Sequence, residues 1–206
     1  GGSSYNPSTS SITFSGNTAA AGGAITINSS GAQVIRGGLF ENNKAELTSA
    51  EGAYSFGGAI AIRMCASLSM GDGSTGPVFN SNSADFGGAM YGTAGSTVVG
   101  TFTNNTAIIG SAIFDTEIEM DVTNSTFSGN TSTYKSGDLA DNPDYSGFEN
   151  YGFVSGGDIC LLSGDKVFFK NTKFNGVISI VGYASDSSYP YISGELLSGS
   201  KATVVV

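Results

Sequence analysis

"FSGNTAAAGGAI", Phe14–Ile25, is the phrase on which the fold turns. It carries a Phe, an Asn three residues later, and a Gly-Gly-Ala-Ile tetrad that begins five residues after the Asn. The pairing recurs along the chain. Phe-x-x-Asn stands at Phe14/Asn17, Phe40/Asn43, Phe79/Asn82, Phe102/Asn105 and Phe127/Asn130. The tetrads that follow are Gly22-Gly23-Ala24-Ile25, Gly57-Gly58-Ala59-Ile60, Gly87-Gly88-Ala89-Met90, Gly110-Ser111-Ala112-Ile113 and Gly156-Gly157-Asp158-Ile159. A sixth, degenerate unit sets Phe174 in the Phe place and Val177 in the Asn place.

Where no insertion intervenes the unit repeats every 23 to 26 residues, a period that belongs to solenoids. The apolar segments between markers are short and alternate, as in "AITI", "AIAI" and "DKVFF", the pattern of half-buried strands. Short strands closed by Gly and Asn corners on this period predict an all-β chain, a parallel β-helix with loops inserted at one corner. Coils in such a stack lie about 4.8 Å apart, so equivalent residues sit directly above one another. The Phe residues then form an interior column, each ring contributing roughly 1.5 to 3 kcal/mol of burial. Asn is expected to take a left-handed backbone at the corner and to bond to the next Asn as a ladder. Gly-Gly permits a tight corner or close approach between coils, and the Ile that follows turns inward.

Composition narrows the function classes. Of 206 residues, 31 are Gly and only 4 Pro; charged residues are 12% and hydrophobic residues 39%. That apolar share with so little charge argues for a packed chain rather than disorder. The net charge of −9 speaks against nucleic acid and anionic lipid as partners. No apolar run reaches the length of a membrane-spanning helix. With no His at all, the Ser-His-Asp and Cys-His arrangements and every His-containing metal site are excluded; no cofactor and no metal are expected. Cys65 and Cys160 read as two buried thiols rather than a disulfide. The whole stretch reads as one β-helical domain over residues 1–206, with regular repeats over about 12–176 and an irregular end coil or cap over 177–206. The opening Gly-Gly-Ser-Ser and the closing Ala-Thr-Val-Val-Val suggest a piece of a longer chain.

The ordered co-occurrence of Phe-x-x-Asn with Gly-Gly-Ala-Ile, from Phe14 to Phe174, resembles the repeat of the chlamydial polymorphic outer membrane proteins. The resemblance implies a right-handed parallel β-helix, exported to the cell surface, in a family where it forms an autotransporter passenger acting in adhesion. Gly110-Ser111 and Gly156-Gly157-Asp158 depart from the tetrad of that repeat.

Insertions locate the candidate binding region. Both long excursions leave between Asn and Gly-Gly: Lys44 to Phe56, and Thr131 to Ser155. In solenoids insertions gather on one face, often the binding face. The second excursion holds Tyr134, Tyr145, Phe148, Tyr151 and Phe153 among acidic residues, and tyrosines in a polar loop are recognition chemistry; a loop folded back to cover apolar flank is the competing reading. The acidic run "DLADNPD" does not have the spacing of a calcium loop. Asp85, Asp115 and Asp121 are the carboxylates an enzyme acting on polysaccharides would use if they shared a groove. A Thr ladder of the ice-binding kind would need Thr101 and Thr103 to recur coil by coil, and the sequence suggests they do not. The expectation is therefore a non-catalytic extracellular or cell-surface protein, adhesive or a rod presenting loops. Its partners would be a protein or glycan on a surface, or neighbouring subunits if the chain is a scaffold in an assembly. A lyase or hydrolase is the remote alternative.

Overall fold

The computed structural model describes residues 3–5, 12–47, 54–92, 95, 97–115, 119–135, 137–138, 156–162, 166–181 and 192–205. Among them there are strands, turns and bends but no helix. Every strand pairing is parallel and joins residues one coil apart. The chain is a parallel β-helix.

Three faces make up each coil. The first carries the Phe markers on Thr13–Ser15, Leu39–Glu41, Val78–Asn80, Thr101–Thr103 and Thr126–Ser128, stacked in that order. A short corner strand follows (Thr18–Ala19, Lys44–Ala45, Thr106–Ala107, Thr131–Ser132), with Ser83 bridging Lys44 and Thr106 in the third unit. The second face begins at the tetrads and runs Ile25–Asn28, Ile60–Met64, Met90–Tyr91, Ile113–Asp115, Ile159–Leu162. The third holds Ala32–Ile35, Ser67–Met70, Thr97–Val98 and Glu119–Thr123.

Register makes like residues meet. Phe14, Phe40, Phe79, Phe102 and Phe127 stack with ring centroids 4.7 to 5.0 Å apart and planes within 17°. From Phe40 onward these rings are completely buried. Ile60, Met90, Ile113 and Ile159 form the inward column of the second face, and Met70, Val98, Val122 and Phe169 that of the third. Outward on the first face Thr101 stacks on Thr126 and Thr103 on Ser128. Thr101 thus recurs for a single coil and Thr103 does not, and on the other side stand Val78 and Asn80, so no Thr ladder forms on this face.

The Asn residues form a continuous ladder. From Asn43 onward each side-chain oxygen accepts two bonds from the preceding coil. Asn82 Oδ1 takes the Asn43 backbone N–H and Nδ2, both at 3.0 Å; Asn105 Oδ1 takes the same pair from Asn82 at 3.0 Å. The second Nδ2 hydrogen goes back to a Phe carbonyl, as from Asn82 to Phe40 at 2.9 Å. Asn43, Asn82 and Asn105 are wholly buried and use their amides fully.

One expectation about these residues needs correcting. The ladder Asn is not the left-handed residue at Asn17, Asn43, Asn82, Asn105 or Asn130. That role falls one position earlier, to Gly16, Asn42, Ser81, Asn104 and Gly129, with φ between 54° and 67°. The turn is made by the residue whose side chain points to solvent, which leaves the next one free to aim its amide inward. Nor is Asn130 equivalent to the buried rungs before it. Its Oδ1 accepts the Asn105 backbone N–H and Nδ2, both at 3.0 Å, and its Nδ2 donates to Phe102 O at 3.1 Å. As the sequence indicates, the sixth unit carries Val177 where the next Asn would stand. Asn130 is therefore the last rung, and without an amide stacked on its far side it is only half-buried.

The two glycines of the tetrad do different work. Gly57 has φ +64°, and a Cβ there would stand 2.1 Å from the Ile60 carbonyl oxygen. Gly58 has an ordinary φ, but its Cβ would meet the Gly88 carbonyl oxygen of the next coil at 2.1 Å. The first makes the corner and the second admits the neighbouring coil.

Two departures revise the fifth and sixth units. Gly110 N–H donates to Gly156 O and Ser111 N–H to Gly157 O. Gly157, at φ +58°, is therefore the corner glycine. Gly156 precedes it, and Asp158 takes the Ala place; the unit lacks one residue of the tetrad. That missing residue leaves room for the Ser111 side chain where the units before it require glycine. In the sixth unit no corner forms at Val177, because Lys166–Val181 runs as one strand across all three faces. Phe174 keeps the Phe place opposite Phe127, tilted by 45°. Ile192–Leu196 and Lys201–Val205 pair in parallel along this strand.

Two substitution pairs test these roles. Asn82→Ala strips partners from several buried polar groups and is expected to cost about 3 kcal/mol or more, against less than about 1 kcal/mol for the exposed Asn17→Ala. Chemical denaturation midpoints read both; equal losses would remove the ladder from the list of stabilising features. Gly57→Ala is expected to destabilise far more than Gly16→Ala. Both have positive φ, but nothing lies within 4 Å of a Cβ at Gly16.

Candidate functional site

The corner between the first and second faces gathers what a binding site needs. In the first, third and fourth units the chain passes directly from corner strand to tetrad. In the second and fifth it departs after Lys44–Ala45 and Thr131–Ser132 and returns at Phe56 and Gly156. Parallel stacking places both departures on one line along the coil axis.

The returning leg of the first insertion is fixed tightly. Asp85 Oδ2 accepts the backbone N–H and the hydroxyl of Ser55, each at 2.8 Å, and Ser55 Oγ accepts the Asp85 N–H at 3.0 Å. Phe56 bridges Phe86 in the coil after it. Around them lies a second apolar cluster, separate from the coil interior: Phe86, Ile109, Phe114 and Cys160 are buried, with Tyr54, Phe56, Tyr91, Ile108 and Tyr134 packed on them. Tyr54 meets Phe86 edge-on at 4.9 Å, and Tyr91 stacks on Phe114 at 5.5 Å. Tyr91, Phe114 and Cys160 are outward positions of the second face, so this flank of the coil is covered rather than wet.

The two insertions touch. Tyr54 OH donates to the Asp138 carbonyl at 2.5 Å, joining segments 84 residues apart in sequence. Asp138 is held in a turn, its Oδ2 accepting Lys135 N–H at 2.8 Å. Neither Tyr54 nor this junction was marked by the sequence, whose signal stopped at the shared corner.

Tyr134 is half-buried against the second cluster. Tyr145, Phe148, Tyr151 and Phe153 lie outside the described residues. Among the described residues a cleft opens along the corner at each insertion. One is lined by Ile108, Ser132, Thr133, Tyr134, Lys135 and Asp138. The other lies at the first insertion, between Lys44, Glu46, Leu47 and the Ser55–Asp85 pair. In it Lys44 and Glu46 form an exposed ion pair at 2.7 Å.

The three carboxylates considered for polysaccharide cleavage do not come together. Asp85 is at the corner bonded to Ser55, Asp115 is buried at the end of a second-face strand, and Asp121 is exposed on the third face. A general acid and its partner must flank one bond, and residues on separate faces cannot. Among the described residues no group of three or more Cys, Asp or Glu is placed to hold a metal ion, and no helix is long and apolar enough to cross a membrane. Cys65 and Cys160 are not joined.

Asp158 sits buried where the fifth unit loses a residue. Its Oδ2 accepts Val177 N–H at 2.6 Å and its Oδ1 accepts the Ser111 hydroxyl at 3.3 Å. Burial pushes its carboxyl up, and these two bonds offset only part of the rise. Asp72 is the opposite case. The backbone N–H groups of Thr75 and Ser74, then their hydroxyls, hold its carboxyl well below the ordinary carboxylate range.

Comparison with known proteins agrees with the repeat. Residues 11–28 match the Chlamydia polymorphic membrane protein repeat, and that segment spans Phe14, Asn17 and the tetrad from Gly22 to Ile25. No curated protein and no solved structure matches the chain.

Asp158 gives a signed pH prediction. Its carboxyl is raised in the fold, so the folded state holds the proton more tightly than the unfolded chain. Its ionisation therefore costs stability increasingly as pH rises through the folded value. Asp158→Asn keeps an acceptor for Val177 N–H without the charge. It is expected to raise the thermal midpoint at pH 7 and to lose that advantage as the pH approaches about 4, the unfolded Asp value. A variant less stable than the parent at pH 7 would show that the charge is used rather than tolerated. Asp72 contributes in the opposite sense in both proteins, its stabilisation lost as pH falls below the unfolded value, and cancels in the comparison.

Proposed function

We propose that this chain is a non-catalytic, surface-exposed β-helical protein whose corner insertions bind a partner in adhesion. The observation that carries the reading is the joining of two insertions, separate in sequence, on one flank of a regular coil stack. A stack that needs only Phe, Asn and Gly at its markers has no use for two such excursions at the same corner, each anchored by its own packing. The match of residues 11–28 to a Chlamydia polymorphic membrane protein repeat supports a place at the cell surface. The scarcity of charge with a net −9 suits an exposed, self-repelling protein. The lack of His and the separation of Asp85, Asp115 and Asp121 support a role other than catalysis.

Beads coated with the chain are expected to attach to host cells or matrix. A variant in which residues 46–54 and 133–155 are replaced by short Gly-Ser linkers, which removes Tyr134, Lys135 and Asp138 with both insertions, should stay folded by circular dichroism and lose attachment. Equal attachment by both would move binding away from this corner. No attachment by either, with the chain recovered from its source bound to other subunits, would replace the adhesive reading with that of an assembly scaffold.

A further inference from the structure

The cleft where the second insertion leaves the coil is lined by side chains of unlike chemistry. The corner strand under it is tied to the coil before. Thr131 N–H bonds to Asn105 O at 2.9 Å and Thr133 N–H to Ala107 O at 2.8 Å, and Ile108 O is taken by the Ser132 hydroxyl at 2.7 Å. The side chains it presents are the half-buried Tyr134 and the exposed Lys135 and Asp138. An aromatic ring beside one cation and one carboxylate, in a shallow cleft, offers a face for the C–H surface of a sugar, with a donor and an acceptor for its hydroxyls.

Charge selects among sugars. The chain carries −9 overall, and each cleft on this corner sets a carboxylate beside its lysine: Asp138 near Lys135, and Glu46 paired with Lys44. An anionic glycan meets repulsion at long range, and at contact each lysine is already offset by a carboxylate. The first cleft repeats the second in kind, with Leu47 as its apolar wall. It lies on the same corner about two coil steps away, on the order of 10 Å, which suits a linear ligand of several rings.

The geometry points to a neutral oligosaccharide laid along this corner, with Tyr134 as the stacking ring and Lys135 and Asp138 bonding to its hydroxyls. This rests on the binding reading above and names its ligand class. The test is ligand-observed NMR on the full chain, with cellotetraose, maltotetraose, mannotetraose and N-acetylchitotetraose as neutral probes and heparin and chondroitin sulfate oligosaccharides as acidic ones. At least one neutral probe is expected to bind. Tyr134→Ala should weaken it about tenfold or more, and Tyr134→Phe should hold it within about threefold, as stacking predicts. Lys135→Ala changes an exposed side chain and should weaken binding without affecting folding. Val78→Ser, on the first face, should leave it unchanged. No binding of any neutral probe, a preference for the acidic ones, or equal affinity in Tyr134→Ala and Lys135→Ala overturns the inference. Loop-dependent attachment to cells with no sugar bound would sink the sugar while leaving the surface reading intact. Loss of both would remove the two together.

Discussion

Everything in this fold follows from coils stacking at the spacing of hydrogen-bonded strands. At about 4.8 Å a residue has no choice of neighbour: it meets its own equivalent in the next coil. That constraint rewards side chains able to pair with copies of themselves. Phe does so by stacking in planes, and the observed separations of 4.7 to 5.0 Å are the coil spacing impressed on the rings. Asn does so because one amide is both donor and acceptor. A buried carboxylate has no such self-complementarity. Where Asp158 occurs it sits at a break in the pattern, answered by Val177 and Ser111 rather than by another copy of itself.

The same constraint explains where variation is tolerated. The interior columns and the corner glycines are fixed from above and below, so a change in one coil must be accommodated in two others. Ser111 shows this in miniature: a side chain enters at a glycine position because the following coil is one residue short. The direction in which the chain can lengthen without disturbing its neighbours is outward at a corner. Both large insertions take it, and each brings its own apolar residues to cover the flank it crosses. The second cluster around Phe86 and Phe114 is thus a product of the insertions as much as of the coil.

The sequence carried the architecture openly because a repeat states each constraint several times. Phe14, Phe40, Phe79, Phe102 and Phe127 could be aligned by eye, and their stacking was implicit in the period. Finer assignments were hidden where two residues share a duty. Asn42 and Asn43 are adjacent and chemically identical, and only backbone geometry says that the first makes the turn and the second the ladder. Gly156 and Gly157 form a convincing pair, yet the coil is entered one residue later, a shift that hydrogen bonds reveal and spelling does not. The contact of Tyr54 with Asp138 was out of reach of any pattern, since it joins irregular segments whose relation is set by the stack between them. Tyr134 was singled out by residue type, while Lys135 beside it carried no signal in the sequence.

The Asn ladder has a sense of direction. At every step the N–H groups belong to the earlier coil and the oxygen to the later one, so the amide dipoles add along the coil axis instead of cancelling. Each bond polarises the next, and the column behaves as a single aligned array in a dry interior. A coil laid on in the reverse orientation would set oxygen against oxygen with no water to separate them. The ladder thereby acts as a key as well as a tie: it lets coils assemble in one polarity and rejects head-to-head stacking of the same surfaces, a safeguard for a protein made of near-identical layers.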